Sequence, residues 1–319
     1  MESKTPSVSI IIPTYNRSEM LERAIQSIFR QTYKDFEILV IDDCSNDNTL
    51  HMLKNFQSHD FKIFRNNTNK GAAYSRNLGI NNSRGKFIAF LDSDDEWLPT
   101  KLQKQINYFE KCPSKIGVVY CQVFDNSFIL RKNTKPSKDG NIYSDLLQGW
   151  CPPTTSAFII KFEALNNGIR FDEKLKSFQD YDLWIQLAKF WEFHFIPEPL
   201  VIFNHHEESR VSIDLQTRIS GLEYFLKKWK KNIIEVGGNR ALDFIRRKYL
   251  SAVYSQTILN LLRKHERKIA LRLFRKLLET RKMKINFLIK FIILFTGNNT
   301  LIKYSRLVRI YFEKYDISF

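Results

Sequence analysis

The chain has 319 residues, with 50 Lys and Arg against 34 Asp and Glu and a formal net charge of +16. That length suits one large α/β domain plus an extension, with a core ample for independent folding. Residues 1–7 are polar, so no signal peptide is expected, and Cys44, Cys112, Cys121 and Cys151 lack metal-binding spacing, so free thiols in a reducing cytosol are expected.

Three short, nearly continuous apolar runs come first, and each ends in a polar loop followed by a helical pattern. Residues 8–12 lead into Pro13, Thr14, Tyr15, Asn16 and Arg17, and residues 36–41 lead into Asp42, Asp43, Cys44 and Ser45. Residues 87–91 deliver Asp92, Asp94 and Asp95 within four positions. Continuous apolar strands alternating with helices indicate a parallel sheet covered on both faces. Ligands of such sheets bind outside the carboxyl ends of the strands. Carboxylates packed as closely as Asp92, Asp94 and Asp95 repel one another unless a cation sits among them, and hard oxygen ligands on a short loop suit Mg2+ or Mn2+. Ser45 is the expected N-cap of a helix from Asn46, and a further helix is expected to begin near Pro99, with Asp95 bonding the loop or capping it.

Later, Gln179 and Asp180 open an amphipathic helix over 181–188, whose N-terminus favours an ionised carboxylate; Asp182 lies one step further. A strand-like run, 199–203, precedes Asn204, His205 and His206. Trp97, Trp150, Trp184 and Trp191 are each candidates for a sugar platform or for the core.

The charge is segregated. Residues 221–319 hold 23 Lys and Arg against 7 Asp and Glu, whereas residues 1–220 are balanced at 27 each. The expected division is therefore a domain over 1–220, with a first half to about 112, and a basic helical extension over 221–319. Gly237 and Gly238 mark a break in that extension. Its most apolar segment, 285–295, carries Lys290 and falls far short of the ~20 residues a spanning helix needs. Basic, aromatic-rich amphipathic helices suit an anionic membrane surface; an ordinary helical cap with a solvated basic face is the alternative. No nucleic-acid-binding motif accompanies the charge, so no nucleic acid partner is expected.

Seven motifs, in order, resemble the family 2 glycosyltransferases of the GT-A fold: IPTYNR at 12–17, VIDDCS at 40–45, NKGAAYSRN at 69–77, LDSDDEW at 91–97, GIRFDE at 168–173, QDYDLW at 179–184 and HEESR at 206–210. The resemblance implies an α/β, Rossmann-like sheet and transfer of a hexose from a nucleotide sugar, UDP-linked by expectation, with inversion. It implies that Asp43 accepts the uracil N3–H, with Pro13 and Tyr15 beside the base and Arg76 and Asn77 at the nucleotide. Asp92 would hold the ribose and Asp94 an Mn2+ or Mg2+ ion bridging the diphosphate, with His206 adding a metal or diphosphate contact. Asp180 would be the base that deprotonates the acceptor hydroxyl. The chain departs from the family at Gln179, where Glu is common, and at Asn204, where Arg is usual. The expected acceptor is a glycan on a polyisoprenoid diphosphate, in surface-polysaccharide synthesis, with the enzyme peripheral on the inner face of the cell membrane. A non-catalytic sugar-nucleotide-binding module and a sugar nucleotidyltransferase are the competing classes; the second lacks its Gly-rich phosphate loop here.

Overall fold

The computed structural model describes residues 5–56, 60–125, 138–204, 215–280 and 291. The chain forms two compact units, residues 1–207 and 208–319.

The first unit is built on one eight-stranded sheet. Strands β1 (Val8–Thr14), β2 (Phe36–Asp42), β3 (Phe61–Arg65) and β4 (Phe87–Phe90) form a parallel half in the order β3-β2-β1-β4. All seven residues of β1 are buried, as expected of a strand covered on both faces. Beyond β4 the sheet becomes mixed. It continues through β7 (Phe158–Lys161), antiparallel to β4, then β6 (Ile116–Asp125), β8 (Glu192–Phe203) and the two-residue β5 (Glu96–Trp97).

Helix α1 (Ser18–Phe29) buries Leu21, Ala24, Ile25 and Ile28, the spacing of a single apolar face. Between β2 and β3 runs the short α2 (Thr49–Leu53), and α3 (Ala72–Asn81) packs on β1 and β2. Gly79 permits that packing, because a Cβ there would lie 2.4 Å from Ile11 Cγ2. Helices α4 (Lys101–Phe109), α5 (Tyr143–Leu147) and α6 (Gln179–Ala188) complete this unit.

One local expectation fails. Ser45 does not cap a helix at Asn46; α2 starts at Thr49, whose N–H bonds Asp47 Oδ1 at 3.0 Å, while Ser45 Oγ accepts the N–H of Asn16. The helix expected near Pro99 is α4, which begins two residues on, at Lys101.

The second unit holds α7 (Leu215–Arg263) and α8 (Arg267–Glu279). Gly238, at φ 66°, breaks the helical path of α7 as its sequence suggests. Ile258 and Leu262 of α7 form a small core with Ala270, Leu273 and Leu277 of α8 and with Phe291. Outside that core, Ile269, Leu271 and Leu278 are exposed beside Arg267, Lys268, Arg272, Arg275 and Lys276. Among the described residues, no helix is long and apolar enough to cross a membrane. The 285–295 segment lies outside the described residues except for Phe291.

Candidate active site

Register places Thr14 of β1 beside Asp42 of β2, and Ile11 beside Phe90 of β4. The loops at 13–17, 42–47 and 91–95 therefore leave the sheet on one edge, and the candidate residues gather there.

The acidic loop after β4 is held by a segment that sequence reasoning passed over. Ser156, fully buried, accepts the Asp92 N–H on its hydroxyl (3.0 Å) and donates that hydroxyl to Asp95 Oδ2 (2.6 Å). Thr155 Oγ1 lies 3.2 and 3.1 Å from the two Asp92 carboxylate oxygens. Thr154 Oγ1 lies within 3.3 Å of both Asp92 Oδ2 and Asp95 Oδ2. Arg76 Nη2 donates to Asp92 Oδ1 at 2.6 Å. Burial alone would raise the Asp92 carboxyl; the Arg76 charge and the threonine hydroxyls outweigh it and hold Asp92 below the usual carboxylate range. Asp95 goes the other way. Burial, then the charges of Asp92 and Asp94, push it well up. Its Oδ1 is buried with no hydrogen-bond partner. It bonds this loop and does not cap α4.

These features fit a hard divalent cation. Three carboxylates in four positions are hard oxygen donors, and the buried Asp95 Oδ1 has no hydrogen-bond partner within the protein. Asp94 itself carries an ion pair, with Arg17 Nη1 3.0 Å from Oδ2. Among the described residues, no group of three or more His, Cys, Asp or Glu is placed to hold a metal ion together. Mg2+ commonly completes its shell with water and substrate phosphate instead.

At the β2 end, Asp43 is 4% exposed and ties α3 to the sheet. Its Oδ1 accepts from Asn66 Nδ2 (2.7 Å) and the Lys70 N–H (2.8 Å), and its Oδ2 from the Gly71 N–H (2.7 Å). Three donors leave room for one more on a carboxylate with about four lone-pair sites. Pro13 is buried in β1, whereas the Tyr15 ring is 43% exposed. Asn16 (φ 50°) and Cys44 (φ 67°) take left-handed backbone beside Tyr15 and Asp43; such strain concentrates at ligand clamps.

Helix α3 links the two ends. Its start binds Asp43, and one turn on, Arg76 binds Asp92. Arg76 is 8% exposed, not a surface residue, and its Nη1 reaches Gln179 Oε1 at 3.4 Å. That contact brings the α6 N-terminus, with Asp180, to the acidic loop. Burial is the main cause raising the Asp180 carboxyl, offset in part by the Tyr181 N–H and Arg76. Phe178, just before, is left-handed at φ 65°, rare for a bulky residue. Asp182 is fully buried and accepts from Gln186 Nε2 at 2.7 Å, so it faces the interior. Asn77 is spent on structure, its amide bonding both the N–H and C=O of Phe171.

Asn204, in place of the family's Arg, donates to the Asp94 carbonyl (3.0 Å) and to Glu96 Oε1 (3.2 Å). His205 and His206 lie outside the described residues. Trp97 and Trp184 are core: the first donates to the Ser156 carbonyl, and the second stacks on Phe158 at 3.8 Å. Trp191 packs over Gly117, and the partly exposed Trp150 packs near Tyr120. The four cysteines are free.

The Glycosyl transferase family 2 profile matches residues 9–168. The chain is 35% identical over 184 residues to the Escherichia coli UDP-Glc:alpha-D-GlcNAc-diphosphoundecaprenol beta-1,3-glucosyltransferase WfgD, covering 57% of this chain and 70% of that protein. Among solved structures, S. aureus TarS 1-349 in complex with UDP-GlcNAc aligns with TM-score 0.55 at 16% identity over 92% of both chains; this chain covers 48% of a longer TarS structure. The Pyrobaculum calidifontis mannosyltransferase PcManGT, in complex with GDP-Man and Mn2+, aligns with TM-score 0.58 at 15% identity, covering 92% of this chain and 88% of that one. These structures share the mixed α/β GT-A fold, which binds nucleotide sugars. The chain belongs to glycosyl transferase family 2 and is a glycosyltransferase.

Proposed function

We propose that the protein transfers a hexose, with inversion, from a UDP-sugar to a hydroxyl of a lipid-linked glycan. The observation that carries this reading is Arg76, which ties Asp92 to Gln179 and so brings the donor-side acid and the α6 carboxylate to one crevice. The donor class is supported by the WfgD name and the TarS complex, and the polyisoprenoid-diphosphate acceptor by the WfgD name.

Asp43 takes the uracil N3–H on its remaining lone pair, with Tyr15 lying on the base beside Pro13. Asp92, fixed by Arg76 and the threonines, accepts from the ribose hydroxyls. Asp94 would hold Mn2+ or Mg2+, with His206 contributing by the family resemblance, and the bound cation would offset the charge of the leaving nucleoside diphosphate. Asp180 accepts the proton of the acceptor hydroxyl as its oxygen attacks the anomeric carbon. The bond from that carbon to the diphosphate oxygen breaks in the same displacement, and the electron pair leaves with UDP. The raised pKa of Asp180 suits it to this task, since a base works best when poised nearer the working pH.

The basic second unit, with Ile269, Leu271 and Leu278 exposed among its cations, would hold the enzyme on the anionic inner face of the cell membrane, beside a lipid-linked acceptor. A thermal-shift panel of UDP-, GDP- and dTDP-sugars with and without Mn2+ tests the donor assignment. UDP-sugars should raise Tm most, and only fully with Mn2+; a larger response to GDP-sugars would overturn the UDP assignment. A non-catalytic binding module would bind the same donors but lose nothing when Asp180 is changed.

A further inference from the structure

Arg17 has no part in the reading above, yet its guanidinium rests on the carboxylate assigned to the cation. Nη1 lies 3.0 Å from Asp94 Oδ2 and 3.4 Å from Ser93 Oγ. The position is built into the backbone. One residue earlier, Asn16 is held left-handed by bonds from its N–H to Ser45 Oγ and from the Asn46 N–H to its own Oδ1. One residue later, the Ser18 N–H bonds Asp47 Oδ2. The 45–47 loop thus clamps Arg17 from both flanks and sets its side chain over the acidic loop. The two side chains are only 27% and 19% exposed, so water screens the pair incompletely.

We propose that Arg17 is the resident counter-cation of Asp94, released to the donor diphosphate when a divalent cation takes the carboxylate. This rests on the reading of Asp94 as the cation ligand. A guanidinium and a divalent cation on one carboxylate repel each other, so cation binding weakens the Arg17 pair and favours its release. Without nucleotide, the freed guanidinium gains only water. With a diphosphate in the crevice it gains phosphate oxygens, which its planar fork matches in bidentate fashion. Arg17 therefore couples cation binding to donor binding, and the coupling is reciprocal. It weakens the site for a cation alone and strengthens it for a cation with its donor.

The test is Mn2+ binding to the full chain, followed by electron paramagnetic resonance of free Mn2+, with and without UDP. Arg17→Gln should bind Mn2+ alone about 2–5-fold more tightly than the natural protein, the range set by a partly exposed ion pair. The enhancement of Mn2+ affinity by UDP should shrink in the same variant. Arg17→Lys, which keeps the charge, should stay near the natural protein in Mn2+ affinity without nucleotide, an outcome that loss of a merely structural side chain would not give. An Arg17→Gln protein that binds Mn2+ alone no more tightly, with the UDP enhancement intact, would overturn the proposal. Asp94→Ala separates the two readings. If it abolishes Mn2+ binding while Arg17→Gln changes nothing, Arg17 alone is misassigned; if it binds Mn2+ like the natural protein, both assignments fall.

Discussion

Two buried acidic clusters stand at opposite ends of the same parallel strands, and they are satisfied very differently. Glu37, fully buried near the start of β2, receives Ser9 Oγ and the Arg84 N–H on Oε1, and Arg84 Nε and Lys62 Nζ on Oε2. Four donors meet about four lone pairs. Burial would raise this carboxyl, but the Ser9 and Arg84 bonds outweigh it and hold it low. At the carboxyl ends, Asp95 is 1% exposed and receives hydroxyls only on Oδ2, and it is pushed up rather than down. The first cluster is complete within the chain and holds the sheet together. The second keeps unmet bonding capacity, as sites prepared for a ligand do.

The sharpest way to strain this contrast is at the reacting end. Asp180→Asn should lower turnover by about 10²–10⁴-fold, the usual worth of a positioned general base, and leave UDP affinity nearly unchanged. If UDP affinity alone falls, Asp180 is a binding residue.

At the opposite rim the effect should appear in stability alone. Breaking a buried pair costs about 3–5 kcal/mol. Arg84 is 30% exposed, so Glu37→Ala should cost about 2–3 kcal/mol after allowance for solvent. Because the folded Glu37 is held below its unfolded pKa, its contribution is present above that unfolded value and lost as pH falls through the folded one. The variant should therefore show a shallower acid unfolding limb in urea titrations at pH 2–6 by about the same measure. Lost Mn2+ dependence with stability intact would erase the distinction between the two ends.

A smaller effect should come from Lys101, a buried amine that rests on an aromatic ring rather than on a carboxylate. Its Nζ has no hydrogen-bond partner and lies 3.9 Å from the Trp97 ring centroid. Burial lowers its pKa from 10.5 to about 7. Between those two values the unfolded chain holds the proton and the folded one does not, so stability should rise as pH climbs from about 7 to 10.5. Lys101→Met should flatten that rise and raise Tm at pH 7, measured by thermal melts at pH 6–10. An unchanged slope would mean that Lys101 finds water or a counter-ion.

The parallel half of the sheet was readable because strands covered on both faces leave continuous apolar runs at 8–12, 36–41 and 87–91, and their polar ends leave the sheet on one edge. The α6 helix with Asp180 at its start and the break at Gly238 were readable for similarly local reasons. What escaped reading depends on contacts far apart in sequence. Thr154, Thr155 and Ser156 grip Asp92 and Asp95 from 59 to 64 residues away, and Arg17 reaches Ser93 across 76. Short polar residues before a strand look like an ordinary turn, so nothing local betrays such a role. The same holds for Trp97 and Trp184, where residue type gave both sugar platform and core, and only packing decides for the core. Ser45 failed as a cap because Asp47, two residues on, bonds the first turns of both α1 and α2.

The central claim is that the carboxyl-end cluster, and not its counterpart around Glu37, is the cation-assisted donor site. Calorimetric titration of UDP into Asp94→Ala and Glu37→Ala, each with and without Mn2+, tests it most directly. The account predicts that Asp94→Ala binds UDP weakly and equally with or without Mn2+, while Glu37→Ala, held below its unfolding temperature, keeps the full Mn2+ enhancement. Undiminished Mn2+ enhancement in Asp94→Ala would contradict it.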